Sequence, residues 1–228
     1  MRGAFLLLSS GIASLTAEAG PWGQQKENVF ARAAVSGETI DGATAWRADL
    51  YGEYGLSKKW TLIAKAESVH FSDADDFNAN EAKIVAQRRV YNRRNIVAAI
   101  GGGPVYGAAI GGISDCDTIG VEARSSVGTS GNLAGREWYG SVDVSGRWHS
   151  DGCQRQKIDF VFGVKYNERT TFSPQLYLEQ SNRGADSAAV QIEYINHFAQ
   201  FDLTYGYKFE SGGLFEQHAA IVAISKRF

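Results

Sequence analysis

Apolar and polar residues alternate along most of the chain, and the alternation is clearest near its C-terminal end. Phe201, Leu203, Tyr205, Tyr207 and Phe209 share one face of an extended segment, and polar residues with one glycine occupy the other face. A period of two residues is typical of a β-strand that has one apolar and one polar face. No segment of convincing length has the helical period, so the pattern predicts an all-β protein.

The same period, followed along the chain, predicts an antiparallel up-and-down barrel of about twelve strands, with ten to twelve compatible with the pattern. Each segment is close to the ~9–11 residues that an oblique transmembrane strand needs. An even number of strands returns both chain ends to the periplasmic side. The predicted strands are approximately 29–37, 45–56, 60–71, 82–92, 95–107, 118–129, 137–148, 157–167, 172–181, 188–198, 201–210 and 218–228.

Two features favour a transmembrane barrel over a soluble sandwich or a lipocalin-like barrel. Aromatic residues such as Trp46, Trp138 and Trp148 stand at the ends of the apolar faces, where amphipathic rings reach the lipid headgroups. Short turns also alternate with longer polar stretches, as expected for short periplasmic turns and longer external loops. We expect the longer stretches near 36–44, 72–81, 108–118, 149–156, 182–187 and 210–217.

The N-terminal residues have the pattern of a secretory signal peptide. Arg2 precedes the apolar segment 4–15, and Ala17-Glu18-Ala19 is a small-x-small cleavage site. The apolar segment is too short for a transmembrane helix, which needs about 20 residues, and no other stretch is long or apolar enough. We therefore expect a cleaved signal peptide at 1–19 and a single barrel domain at 20–228.

Composition narrows the class of partner. The chain has 26 glycines, 12% aromatic residues and a formal net charge of −2, so it lacks the basic surplus that a nucleic-acid partner requires. Cys116 and Cys153 are its two cysteines. In an exported chain an even count predicts a disulfide, here between the third and fourth external loops, although two free thiols remain possible.

The C-terminal end resembles the assembly signal of outer-membrane proteins. Phe228, Ile224, Val222 and Ala220 follow its pattern of a final aromatic residue after alternating apolar residues, whereas Lys226 departs from it. The segments 47–60 (RADLYGEYGLSKKW) and 214–228 also resemble a poorly characterised family of proteobacterial outer-membrane barrels. This resemblance implies a transporter-like protein of the Gram-negative outer membrane, surrounded by lipids and lipopolysaccharide and inserted by the barrel-assembly machinery.

A second interpretation is enzymatic. His70 and Ser72 resemble the His-x-Ser pair of outer-membrane phospholipase A, in which a histidine activates a serine on the lipid-facing side of a strand. The resemblance implies an orienting asparagine, for which Asn78 and Asn80 are candidates. The segment 179–182 (EQSN) is similar to a motif shared with lipid A deacylases, but Glu179 replaces the histidine that would act as the base.

The acidic residues near the third strand allow a metal-binding hypothesis. Asp73, Asp75, Asp76 and Glu81 could supply oxygen ligands for calcium. They do not complete an EF-hand pattern, so we favour a solvated acidic loop and predict neither a metal nor a cofactor.

A large set of charged residues falls on the predicted inward faces of the strands. Both signs are present, so the interior is either a water-filled bore or a lumen closed by ion pairs. We predict a narrow channel or transporter-like protein for small polar solutes. A lipid hydrolase using His70 and Ser72, and a filled barrel acting as a structural protein or surface antigen, are the alternatives. The predicted lumen-lining residues are Arg47, Asp49, Glu53, Lys65, Glu67, Arg89, Glu122, Arg124, Asp143, Arg147, Asp159, Lys165, Glu179, Glu193, Asp202, Lys208 and Glu210.

Overall fold

Twelve antiparallel strands form a closed barrel in which each strand is hydrogen-bonded to its neighbours in the sequence. The computed structural model describes residues 20–72, 77–107, 116–184, 186–212 and 215–228. The strands are β1 (Val29–Ile40), β2 (Ala43–Gly55), β3 (Trp60–Phe71), β4 (Ala79–Arg93), β5 (Ile96–Gly107), β6 (Ile119–Leu133), β7 (Arg136–His149), β8 (Gln154–Asn167), β9 (Thr170–Ser181), β10 (Ser187–His197), β11 (Asp202–Gly212) and β12 (Glu216–Arg227).

The first and last strands close the barrel. β1 and β12 are antiparallel neighbours, and their register extends from Phe30 opposite Arg227 to Ile40 opposite Gln217. Both ends of the described chain therefore lie at the same end of the barrel, which we call the inner, or periplasmic, end. The opposite end is the outer end. This arrangement confirms the predicted all-β, up-and-down topology and its twelve strands.

The predicted long external stretch at 36–44 is wrong. β1 continues to Ile40, and only Asp41 and Gly42 connect it to β2. Both residues have positive φ angles, 49° and 83°, as a type I′ hairpin turn requires, and Asp-Gly is a favoured sequence for that turn. The longer connections that do occur at the outer end include 72–78 and 108–118.

Side chains on the outer surface of the barrel are predominantly apolar. Leu50, for example, is 59% exposed and Ile100 is 52% exposed, because alternate residues of each strand point away from the interior. Large aromatic residues mark the ends of this surface, including Trp46 and Trp148 towards the outer end and Trp60 towards the inner end. An apolar exterior with aromatic ends is the surface of a barrel that spans a bilayer.

Arg88 is an exposed charged residue on the outward face of β4, and it lies near the inner end. Its guanidinium is 5.8 Å from the ring centroid of Trp60 on β3, a separation that permits a cation–π interaction. The register between β4 and β5 shifts between Arg89 and Tyr91, so β4 has one extra residue at this point. No helix in the described ranges is long and apolar enough to cross a membrane.

Tyr139 fills part of the barrel interior by lying across a glycine. Its side chain is 2% exposed, and Gly163 is directly opposite it on β8. A β-carbon at Gly163 would overlap the Tyr139 ring. The Tyr139 hydroxyl is 3.4 Å from Ser173 Oγ, so the ring is held at both its face and its tip.

Replacing Gly163 by alanine is therefore expected to destabilise the barrel by about 1–3 kcal/mol, the usual cost of overpacking. Gly37→Ala is the matched control, since a β-carbon at Gly37 has no neighbour within 4 Å. Thermal unfolding in detergent, followed by the mobility of unheated protein in gel electrophoresis, compares the two variants. Equal stability of both variants would show that the ring of Tyr139 moves aside without cost.

Candidate functional site: a charged chamber inside the barrel

The inward faces of the strands surround a cavity of about 240 Å³. Among the described residues that line it, nine are basic and nine are acidic. The basic residues are Arg32, Arg47, Lys65, Lys83, Arg124, Arg147, Arg155, Lys157 and Lys208; the acidic residues are Glu38, Asp49, Glu67, Glu81, Glu122, Asp143, Asp159, Glu179 and Glu210. We call this cavity the chamber. It carries both signs of charge in equal number.

Most of the residues predicted to line the lumen border the chamber. The other five lie at positions of their strands that face the interior, but they do not line the chamber. They are Glu53, Arg89, Lys165, Glu193 and Asp202. Among these, Lys165 pairs with Glu137 at 3.2 Å, and Asp202 accepts a contact from His197 at 2.7 Å. The alternation along each strand thus predicts which charged side chains face the interior, although it does not predict what they contact.

Arg147 connects two acidic residues on one side of the chamber. Its guanidinium donates to both carboxylate oxygens of Glu81, at 2.8 and 2.9 Å, and to Glu122 at 2.7 Å. Lys83 also contacts Glu122, at 3.1 Å. Lys83 lies on β4 and Glu122 on β6, with β5 between them. Because the inward-facing positions of β5 here are Gly101 and Gly103, no side chain of β5 separates the pair.

A second group of ion pairs lies on β1, β2 and β3. Arg47 donates to Glu38 at 2.7 Å and also pairs with Glu67. Lys65 is 2.6 Å from Glu67 and 3.0 Å from Asp49. Each cation therefore bridges two carboxylates, and both cations share Glu67, so this group of two cations and three carboxylates has one excess negative charge.

Another contact, like that of Arg147 with Glu81, joins strands that are not neighbours in the wall. Arg32 on β1 donates to Glu193 on β10 at 3.0 Å, although β11 and β12 separate these strands around the wall. Gln175 and Gln191 donate to the same carboxylate, at 3.0 and 2.8 Å. This contact therefore ties β1 to β10 past the two strands between them.

Residues 20–28, which we call the N-terminal plug, fold back into the inner end. Pro21 is among the most fully buried residues, and Trp22 meets Tyr139 edge-on with ring centroids 6.2 Å apart. Gln87 donates to the Gly20 carbonyl at 3.1 Å, and Arg89 to the Trp22 carbonyl at 3.3 Å. The plug therefore occupies the space between the chamber and the periplasmic side.

A disulfide fastens the outer end. Cys116 and Cys153 form a disulfide, with their Cα atoms 5.4 Å apart. The bond joins the connection between β5 and β6 to the connection between β7 and β8. The backbone N–H groups of Cys153 and Cys116 donate to the Asp151 carboxylate at 3.0 and 3.1 Å. These hydrogen bonds, that from Cys153 foremost, hold the pKa of Asp151 below its usual value.

The enzymatic hypothesis named His70, Ser72, Asn78 and Asn80, and the structure places His70 and Asn80, but not Ser72, beside one serine hydroxyl. His70 lies on the exterior, and the hydroxyl that the structure pairs with it is that of Ser68 rather than that of Ser72, with His70 Nε2 2.9 Å from Ser68 Oγ. Glu179 points into the chamber and pairs with Arg155. Glu81 is bound to Arg147, whereas Asp73, Asp75 and Asp76 lie outside the described residues.

Sequence reasoning missed several chamber residues for identifiable reasons. Glu38, Glu81 and Arg155 lie just beyond the predicted strand ends, in strands that prove longer than expected. Lys83 and Lys157 follow the alternation of their strands and could have been included. The sequence of the plug shows no alternation of apolar and polar residues. The feature that could have indicated a buried segment is the apolar pair Pro21-Trp22, close behind the predicted cleavage site.

No protein-family model matches this chain, and no curated protein matches it in sequence. Solved structures do match its fold. The COG4313 outer membrane channel from Pseudomonas putida F1 is 11% identical with a TM-score of 0.63, over 94% of this chain and 100% of that one. The NanC porin is 12% identical with a TM-score of 0.62, over 85% of this chain and 98% of that one.

The KdgM porin, described in complex with disordered oligogalacturonate, is 9% identical with a TM-score of 0.57, over 86% of this chain and 99% of that one. At these identities the similarity shows a shared fold. The chain is thus an integral β-barrel of the bacterial outer-membrane type, with eighteen charged residues lining its chamber.

Proposed function

We propose that this protein is a narrow outer-membrane channel that passes small polar solutes through the charged chamber. The observation that carries the proposal is the chamber itself, because a polar cavity inside an apolar-coated barrel gives water and polar solutes a place within the bilayer. Its volume of about 240 Å³ is below the ~300–1,000 Å³ of typical ligand pockets. We therefore propose small solutes rather than oligomers as cargo. The fold neighbours include an outer-membrane channel and porins, which supports this proposal.

The balance of charge in the chamber predicts weak ion selectivity. A lumen of one sign would concentrate ions of the opposite sign, whereas nine basic and nine acidic residues largely cancel at a distance. Oligogalacturonate is a polyanion, and a chamber without net charge has no general attraction for it. Neutral or zwitterionic solutes are the class that fits best.

Single-channel recording of refolded protein in planar bilayers tests the proposal. We expect discrete conductance steps and, under a salt gradient, a reversal potential near zero, because neither ion is favoured. A strongly cation- or anion-selective current would contradict the balanced-lumen argument. Silence from protein shown by heat-modifiable mobility to be folded would contradict an open channel in the resting state.

A filled barrel is the second candidate, and two observations favour it. The Arg32–Glu193 and Arg147–Glu81 pairs each join strands that have two others between them in the wall, and the N-terminal plug occupies the inner end of the lumen. Such a protein would serve as a structural component or surface antigen of the membrane. Removing the plug distinguishes the two candidates, because a channel closed by its plug then conducts, whereas a barrel filled by its wall residues stays closed.

A further inference from the structure

Three polar residues interrupt the apolar exterior near the outer end of the barrel. Ser68 and His70 lie two residues apart on β3, and Asn80 is directly opposite Ser68 on β4. Their strand neighbours Val69 and Phe71 are buried in the interior, so the alternation turns all three polar side chains towards lipid. Neither the chamber nor the proposed channel uses them.

The three side chains contact one another. Ser68 Oγ lies 2.9 Å from His70 Nε2 and 2.7 Å from Asn80 Oδ1. The His70 ring is stacked on Trp46, with ring centroids 4.6 Å apart and an angle of 18° between the planes. The stacking holds the imidazole with Nε2 directed at the serine hydroxyl. A histidine within hydrogen-bond reach of a serine is the arrangement that activates the serine as a nucleophile.

The position of the cluster defines the substrate it could reach. Trp46 belongs to the aromatic residues at the outer end, and such residues lie at the level of the lipid headgroups. The ester bonds that join acyl chains to a headgroup lie next to that level. A nucleophile here would meet acyl esters from the side of the bilayer, without any solute entering the lumen.

We propose that Ser68, His70 and Asn80 form a site that hydrolyses acyl esters of membrane lipids. Ser68 Oγ attacks the ester carbonyl carbon while His70 Nε2 takes the hydroxyl proton. The bond from that carbon to the alcohol oxygen breaks, and His70 returns the proton to the departing oxygen. Water, deprotonated by His70, then attacks the acyl-serine, which releases the fatty acid and restores the serine with its proton.

In this scheme the orientation of the Asn80 amide determines which group accepts the Ser68 proton. The Ser68 hydroxyl carries one proton, so it donates either to Asn80 Oδ1 or to His70 Nε2. The oxygen and nitrogen of an amide exchange places by rotation through half a turn. With Nδ2 directed at Ser68, Asn80 donates a hydrogen bond, the serine proton goes to His70, and the amide can stabilise negative charge developing beside the nucleophile.

A fluorophosphonate probe tests the nucleophile directly. Full-length folded protein in lipid vesicles is treated with the probe, and the modified residue is located by peptide mass spectrometry. We expect an adduct on Ser68 that is absent in Ser68→Ala and strongly reduced in His70→Gln. Ser72→Ala is the matched control, since it removes a nearby serine that His70 does not contact, and it should react like the parent protein.

Release of fatty acid tests the reaction and its source. Vesicles of phospholipid alone and vesicles that also contain lipopolysaccharide distinguish the two kinds of acyl ester. His70→Gln is expected to slow release by about a hundredfold or more, the usual contribution of a general base. An adduct confined to Ser72, or folded protein that neither reacts with the probe nor releases fatty acid from either vesicle, would overturn the proposal. Conductance recorded on the same preparation tests the channel separately.

Discussion

Deletion of residues 20–25 is expected to raise the single-channel conductance several-fold. These residues carry Pro21 and Trp22, which fill the inner end of the lumen against Tyr139. None of them belongs to a strand, so the barrel keeps its complete set of wall hydrogen bonds. Ions then enter the chamber from the periplasmic side through space that the plug now occupies. Planar-bilayer recording of the deleted and parent proteins measures the change.

Trp148→Ala is the control for this deletion, because Trp148 is a large aromatic residue on the exterior and contributes nothing to the lumen. Its conductance should match that of the parent protein. An equal, non-zero conductance of the two proteins would mean that the wall residues rather than the plug limit the current, whereas silence of both would mean that the wall residues close the passage. If both proteins are silent, the filled-barrel candidate replaces the channel.

The substitution Arg147→Met is expected to destabilise the barrel by about 3–5 kcal/mol, the cost of removing one partner of a buried ion pair. Glu81 and Glu122 would then lose their shared guanidinium, which now donates to them at 2.7 to 2.9 Å. The loss of one positive charge also leaves the chamber with a net negative charge. Any current should therefore become cation-selective, and under a salt gradient the reversal potential should move from near zero towards the equilibrium potential of the cation.

Arg136→Met is the matched control, since Arg136 is exposed and stacks on Tyr166 at 4.9 Å outside the chamber. Adding Glu81→Gln to Arg147→Met should restore part of the stability and remove the cation preference, because it removes the one excess carboxylate, while Lys83 still pairs with Glu122. Thermal unfolding and reversal potentials are measured on all three variants. Equal stability of Arg147→Met and Arg136→Met would mean that water in the chamber compensates the carboxylates.

The alternation of residues was enough to predict the twelve strands and the facing of Arg47, Glu122 and Arg147, because side-chain period and sheet geometry are linked directly. It was not enough to predict which of these charges meet. The Arg32–Glu193 pair depends on barrel diameter and on strands far apart in sequence. Such distances follow from closure and tilt of the whole sheet, which no local pattern contains.

Two other errors have local causes. The polar stretch 36–44 looked like a loop because Glu38 and Thr39 are hydrophilic, but a strand that faces a polar lumen carries polar residues inside. The Asp41-Gly42 pair, which is typical of a two-residue hairpin turn, was a stronger signal than the polarity of the residues around it. For the enzymatic hypothesis, the sequence drew attention to Ser72, whereas the pairing of β3 with β4 places Ser68 next to Asn80. A register between strands cannot be read from a two-residue spacing.

The seam between β1 and β12 has a consequence for biogenesis. It joins residues near the two ends of the described chain, such as Phe30 and Arg227, so it is the contact of longest sequence separation in the barrel and the slowest to form by chance. Until β12 is available, β1 has an unpaired edge that can add a strand from another chain. Insertion therefore requires either simultaneous arrival of both edges or a helper that covers the first edge while the rest of the chain emerges.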